Sequence, residues 1–233
     1  MSTGYEVDFL GRSECGTDVV CSRFSKPPGY AFTPGQYMSL TLATAEGNQT
    51  KPFTHSQAPG DAYLELTTRL SGSAFKNALA ALDRGDRVRV TGPSGRLVLP
   101  PGTNTVAFLV GGVGITPARS MLRDAWQRHF VWEDAAVFYG NRDPSCMPYA
   151  DELAQMSPGG VRVINVLEHP DDSWSGYRGF VTAQIVRKNV DPNDGRLFCV
   201  SGPPVMVTAM ESVLDELGIA RERRLVERFG VQV

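Results

Sequence analysis

Val110-Gly111-Gly112-Val113-Gly114-Ile115-Thr116-Pro117 runs from a strand through a glycine turn into a helix. The residues leading into it, Thr105 to Val110, are a continuous run of apolar strand formers, the pattern of a strand covered on both faces. Pro117 stands where a helix begins, a position at which its missing N–H costs nothing. Glycine lets the backbone approach a ligand and take positive φ, and the amide end of the following helix attracts an anion such as a diphosphate. The segment is not a P-loop, because no Gly-Lys-Ser/Thr follows. It is not GxGxxG either, because Pro117 occupies the place of the third glycine. A strand-to-helix turn with no ligand reads equally well from these eight residues alone.

On the C-terminal side, strands expected at Ala135 to Tyr139, Val161 to Leu167, Leu197 to Ser201 and Arg224 to Glu227 alternate with helices. The helices follow Pro117 and cover Tyr149 to Met156, Thr182 to Lys188 and Pro204 to Leu217. That alternation predicts an α/β doubly wound parallel sheet. Ser201-Gly202-Pro203-Pro204 is a second glycine–proline turn at a strand C-terminus. Two such turns favour a dinucleotide crevice above the sheet.

On the N-terminal side the rhythm is that of short strands: Tyr5 to Leu10, Asp18 to Phe24, Gln36 to Ala43, Tyr63 to Thr68 and Arg87 to Val90, with one helix from Ser73 to Leu82. This predicts an antiparallel β-barrel. The turn-rich Leu99-Pro100-Pro101-Gly102 separates the halves, giving domains over 1–101 and 102–233.

Composition narrows the function. With 23 Lys and Arg against 25 Asp and Glu in 233 residues, the formal net charge is −2, which lacks the basic footprint of nucleic-acid binding. The N-terminus has no apolar stretch resembling a signal peptide, and Val106 to Val110 is too short to span a bilayer. Cysteines at 15, 21, 146 and 199 form neither a metal-binding cluster nor the C-x4-C-x2-C of a plant-type iron–sulfur centre. A cytoplasmic location is expected.

The barrel half holds Gly35-Gln36-Tyr37, then Lys51-Pro52-Phe53-Thr54-His55-Ser56-Gln57-Ala58-Pro59, then Ser71-Gly72-Ser73-Ala74-Phe75-Lys76. Ser73 is a helix N-cap candidate. A cation, hydroxyls, aromatics and a helix N-terminus together suit a phosphorylated aromatic ligand, although singly Tyr37 and Phe53 also read as core.

In this order the segments resemble the ferredoxin–NADP reductase superfamily, which joins a flavin-binding barrel to a nicotinamide-binding domain. KPFTHSQAP is similar to the family's Arg-x-Tyr-Ser flavin signature, with Lys51, Phe53 and Thr54 at its positions. GGVGITP resembles the family's dinucleotide loop, SGPPVM its Cys-Gly-Pro-Pro turn, and ERFGV its terminal Glu-x-aromatic segment.

The resemblance implies bound FAD, or FMN, reduced by NADH or NADPH, with electrons passing to a separate protein such as a ferredoxin or an oxygenase component. Flavin contacts are implied for Tyr37, Lys51, Pro52, Phe53 and Thr54, and for Gly72, Ser73, Ala74 and Phe75 at the helix start. Thr54 is expected near the reactive flavin edge, Glu227 as a proton relay, and Phe229 as a shield for the ring. The nicotinamide diphosphate is expected over Gly111, Gly112, Val113 and Gly114, with Thr116 bonding to a phosphate or ribose beside Pro117. Gly202 and Pro203 shape the nicotinamide pocket. For Glu227, a salt bridge within the last strand is an equal reading.

Three departures stand out. Lys51 replaces an arginine, turning a bidentate grip into a point charge, and Arg69 is a candidate to compensate. Phe53 lacks the tyrosine hydroxyl. Ser201 replaces the cysteine that the family places near the nicotinamide; Cys199, two residues earlier, reads as core. Asn141 and Arg142 follow the second strand of the sheet, where the adenosine ribose lies. Arg142 suits a 2′-phosphate and Asp143 a ribose hydroxyl, and the balance leans to NADH. Competing readings are a flavin reductase that releases reduced flavin, a non-catalytic nucleotide-binding module, and an electron-transfer subunit of a larger enzyme.

Overall fold

Along the first strand, Glu6 and Asp8 point to solvent while Val7 and Phe9 are buried, the period-two alternation that commits a strand to one covered face. In a computed structural model describing residues 4–230, that strand is β1 (Gly4–Gly16). It is followed by β2 (Val19–Ser25), β3 (Tyr37–Thr44), β4 (Gly47–Thr54), β5 (Tyr63–Arg69), α1 (Ala74–Ala80) and β6 (Arg87–Ser94). The strands pair antiparallel in the order β4-β3-β6-β1-β2-β5. Phe9, Phe24, Met38, Leu40, Leu64 and Leu66 fill the interior, and α1 closes it with Phe75 and Leu79. Each such side chain contributes about 1.5–3 kcal/mol of burial.

The second half contains β7 (Thr105–Gly111), α2 (Thr116–Gln127), β8 (Asp134–Asn141), α3 (Ala150–Gln155), β9 (Val161–Leu167) and the short β10 (Tyr177–Arg178). It continues through α4 (Ala183–Asn189), β11 (Leu197–Gly202), α5 (Pro204–Glu216) and β12 (Arg224–Arg228). All strands are parallel, in the order β10-β9-β8-β7-β11-β12. The apolar run of β7 has a simple cause: Val106, Phe108 and Val110 pack under α2 and α3, while Ala107 and Leu109 pack under α4 and α5. Strand order reverses between β7 and β11, which places the crevice of a doubly wound sheet over their C-terminal ends.

The two-domain architecture is as expected, with two differences of detail. β4, which carries the Lys51–Thr54 segment, was not expected as a strand. Its Asn48-Gln49-Thr50-Lys51-Pro52 is polar because it is the edge strand, and residues 47–52 are largely exposed. β10 is too short to leave a periodic signal. Leu97 and Leu99, just before the prolines, pack in the core of the α/β half. Among the described residues no helix is long and apolar enough to cross a membrane.

Candidate active site

The glycine loop leaves β7 as a 3-10 turn over Gly112–Ile115 and enters α2 at Thr116. Gly112 has φ +52°, a left-handed conformation that suits glycine. Gly114 is needed for space: a Cβ there would run into the Ser201 carbonyl oxygen and lie 2.8 Å from the Cα of Gly202. The two glycine turns predicted to flank one crevice therefore press directly on each other. The Ser201 hydroxyl locks the contact by donating to the Gly114 carbonyl at 2.8 Å. Tyr139, fully buried on β8, holds the other end of the loop through its hydroxyl, 3.2 Å from the Gly112 carbonyl.

Two of the expected site residues are engaged by the loop itself. Thr116 is buried, and its hydroxyl donates to the Val113 carbonyl at 3.1 Å, so its one proton braces the loop and does not face a phosphate. Ser201 is likewise buried and engaged with the loop, so it is a brace and not an exposed stand-in for the family's cysteine. Pro117 is a buried early residue of α2, and Gly111, Gly112 and Val113 keep partial access to solvent. Cys199 lies in the core, where burial raises its thiol pKa to about 12.

Across the domain boundary, Thr54 at the end of β4 donates to the Glu227 carboxylate at 3.4 Å. Glu227 is opposite Ser201 in the β11–β12 register, and Ser201 is opposite Val110 of β7. The sheet thus delivers a barrel hydroxyl, a carboxyl and the glycine loop to one place, although they lie far apart in sequence. Burial raises the Glu227 pKa to about 7, with the Thr54 hydroxyl opposing the shift. No salt bridge to Glu227 is found among the described residues; the ion pairs on this strand are Arg224 with Asp215 and Arg228 with Glu211. The Phe229 amide donates to the Gly202 carbonyl at 2.9 Å, and its ring is half-buried. Pro203 is exposed beside Gly202.

On the barrel side Tyr37 is opposite Thr54 in the β3–β4 register. Lys51 and Pro52 are exposed and Phe53 is half-buried. The Lys76 ammonium sits 4.5 Å over the Phe53 ring and bonds to the Thr68 hydroxyl. Burial, then the like charge of Lys51, lowers its pKa to about 8. Two cations thus lie near each other with no carboxylate to balance them among the described ion pairs. Ser73 caps α1 as expected, accepting from the Lys76 amide, and Gly72 before it has φ +73°. Phe75 is different: its side chain is core, stacked 5.7 Å from Phe53, which leaves only backbone at Ala74 and Phe75 for a ligand. Arg69 does not join Lys51; its guanidinium reaches the Thr17 carbonyl at 3.5 Å, on the β1–β2 hairpin.

Lys76 has no local signal in the sequence to set it apart from any other helical lysine. Its recruitment is tertiary, through Thr68 and Phe53. Replacing Lys76 by Met is expected to weaken flavin binding about tenfold, measured by quenching of flavin fluorescence on titration.

At the far end of the crevice, neither polar atom of the buried Asn141 carboxamide has a hydrogen-bond partner. A buried unpaired amide is costly, and a ribose hydroxyl would satisfy it. Arg142 is exposed and tied to Asp143 at 2.9 Å. Phe180 was not anticipated. It is 68% exposed in the loop after β10, next to Val181, which packs beside Gly140 of β8, and so offers a flat face to a planar ring.

The residues fit the two cofactors. The orphaned Asn141 and the Gly114 cradle suit a dinucleotide, and the unbalanced Lys51 and Lys76 suit a flavin diphosphate.

Comparison with known proteins agrees. Residues 108–212 match the family model described as oxidoreductase NAD-binding domain. The chain is 32% identical to NADH-cytochrome b5 reductase 1 of Ajellomyces capsulatus, over 85% of this chain and 68% of that protein. It is 31% identical to ferredoxin–NADP reductase B of Sorangium cellulosum, over 86% of each. The fold matches the crystal structure of a Neisseria gonorrhoeae ferredoxin NADP+ reductase with bound FAD and NADP, at a TM-score of 0.83 and 21% identity, covering 97% of this chain and 98% of that one. With its flavin barrel, its nicotinamide crevice and these relatives, the chain belongs to the ferredoxin–NADP reductase superfamily of nicotinamide-driven flavin oxidoreductases.

Proposed function

We propose that this protein holds FAD on the barrel, accepts NADH in preference to NADPH, and delivers electrons to a separate small protein of the ferredoxin or oxygenase-component kind. The observation that carries this reading is the meeting of Thr54, Glu227 and the glycine loop at one crevice. FAD, when bound, supplies the chemistry of taking two electrons as hydride and releasing them singly.

The chain's own residues supply binding, orientation and proton handling. Lys51, Lys76 and the α1 amide end hold the flavin diphosphate. Phe53 and Tyr37 flank the ring system, and the Thr54 hydroxyl marks its reactive edge. Gly111 to Gly114 present backbone to the nicotinamide diphosphate, and Gly202 and Pro203 wall the pocket. Phe229 covers the flavin face, Asn141 bonds to the adenosine ribose, and Phe180 stacks on the adenine. Glu227, with a pKa of about 7, is the one carboxyl at this crevice suited to hold or release a proton near neutrality. The domain division is proposed between 101 and 102, in the turn after Leu99, and four unbridged cysteines support a cytoplasmic location.

The donor preference rests on Asp143, which neutralises Arg142 and leaves little net positive charge for a 2′-phosphate. Arg142→Ala is expected to change kcat/KM for NADH by less than about twofold, because an exposed pair contributes little. A steady-state comparison of both donors checks it, and a large loss confined to NADPH would reverse the preference.

The whole reading is tested by anaerobic titration of the desalted protein. Flavin absorbance should bleach on adding NADH, more readily than with NADPH, and a yellow protein that neither donor bleaches would sink the proposal. One observation favours a second reading: Lys51 is an exposed point charge in place of a guanidinium fork. A protein that leaves gel filtration colourless yet reduces added flavin would be a flavin reductase releasing its product.

A further inference from the structure

Arg119, one turn beyond the glycine loop on α2, is among the most deeply buried charges in the molecule, its side chain 4% exposed. Its guanidinium donates to the Ser56 carbonyl at 2.6 Å and to Glu65 at 2.7 Å, both on the barrel, and to Glu152 of α3 at 2.9 Å. Its plane lies 3.9 Å over the centroid of the Tyr149 ring. The next residue repeats the contact: the Ser120 hydroxyl donates to the Gln57 carbonyl at 2.7 Å. Ser56 and Gln57 directly follow Thr54 and His55, so the helix that opens from the nicotinamide loop is bonded to the backbone of the flavin segment itself.

The contact extends as a chain of alternating charge. Arg23 meets Glu65, Glu65 meets Arg119, Arg119 meets Glu152, Glu152 meets Arg123, and Arg123 meets Asp61. Arg23, Glu65 and Asp61 belong to the barrel and the other three to the α/β domain, so each domain brings one net charge of opposite sign. None of these six residues is hydrogen-bonded or ion-paired to Thr54 or Glu227.

We propose that Arg119, seconded by Ser120, is a positioning residue for hydride transfer: it fixes the distance between Thr54 and the Gly112–Gly114 loop, and so between the flavin edge and the nicotinamide. This rests on the reductase reading above. Hydride transfer needs the reacting atoms within a few tenths of an ångström of their productive separation. Most interdomain contacts are loose and polar; a guanidinium with four fixed partners is not. Arginine's planar fork holds two carboxylates and a carbonyl in fixed directions, whereas lysine is a rotating point charge on a flexible stem.

The test uses flavin-loaded protein carrying Arg119→Met, Arg119→Lys or Ser120→Ala. In Arg119→Met the rate of flavin bleaching at saturating NADH should fall about 10- to 100-fold, while dissociation constants for FAD and NADH change less than about threefold. Arg119→Lys should recover only part of the rate. Amide hydrogen exchange should quicken together in peptides covering 54–58 and 112–120. A saturated rate within twofold of the parent, or a loss matched by lost FAD affinity, overturns the proposal. If Arg119→Met does not fold, Ser120→Ala decides, with a rate loss of at least about threefold at unchanged affinities expected and an unchanged rate refuting it. Failure of the reductase reading looks different, because the unsubstituted protein would then not be bleached at all.

Discussion

Gly114→Ala is expected to lower the rate of flavin reduction by NADH about 100-fold while leaving the flavin bound. The added methyl has no free direction, since it meets the Ser201 carbonyl and the Cα of Gly202, both of them backbone at the end of a central strand. To admit it, β11 must move from β7, or the 3-10 turn must lift, and either shift opens the crevice on the nicotinamide side. The barrel is not involved, so flavin affinity should stay within about twofold. Stopped-flow bleaching with increasing NADH separates the effects, and a saturated rate equal to that of the parent would show that the close approach has no functional weight. The same overpacking should destabilise the fold by about 1–3 kcal/mol, readable in urea.

Glu227→Gln should have opposite effects on activity and stability. The carboxyl pKa is raised from 4.5 to about 7, chiefly by burial. The native state therefore keeps a proton between those values while the unfolded chain has lost it, and stability falls as pH rises through that window. Glutamine stays neutral throughout. The variant should match the parent near pH 4.5 and exceed it above pH 7 by about 2 kcal/mol, allowing for partial exposure. Turnover should fall about 100-fold if Glu227 handles a proton, and the inflection near pH 7 in kcat should vanish. Unfolding midpoints measured from pH 5 to 8.5 provide the stability half. Parallel curves for parent and variant would mean that the carboxyl is not buried in solution.

How much of this was legible in the sequence depends on whether the signal was local. The apolar run of β7, the glycines at 112 and 114, and the cap at Ser73 act through neighbouring backbone and were readable. So was the pairing of the two glycine turns, because strand order in a doubly wound sheet brings their ends together. The bonds that Thr116 and Ser201 donate were not legible, because a hydroxyl's orientation is set by the nearest carbonyl, here Val113 and Gly114, which spacing does not reveal. Phe75 and Arg69 were expected at the flavin on position alone, but the first completes the barrel core and the second turns to Thr17. Lys76, Arg119 and Phe180 were missed for the complementary reason. The hydrogen-bond partners of Lys76 and Arg119 are 8 to 63 residues away in the chain, the partner proposed for Phe180 lies outside it, and no periodicity encodes that.

The charges that join the domains alternate in sign and cancel, and at their centre Glu65 and Arg119 are 1% and 4% exposed. Mobile ions screen exposed charges and hardly reach pairs set this deep. Added salt therefore leaves the internal alignment of donor and flavin nearly untouched, while it weakens any electrostatic capture of a diffusing protein. On the proposed function, the two stages of electron flow answer to different properties of the solution, one to proton activity at Glu227 and the other to ionic strength at the surface.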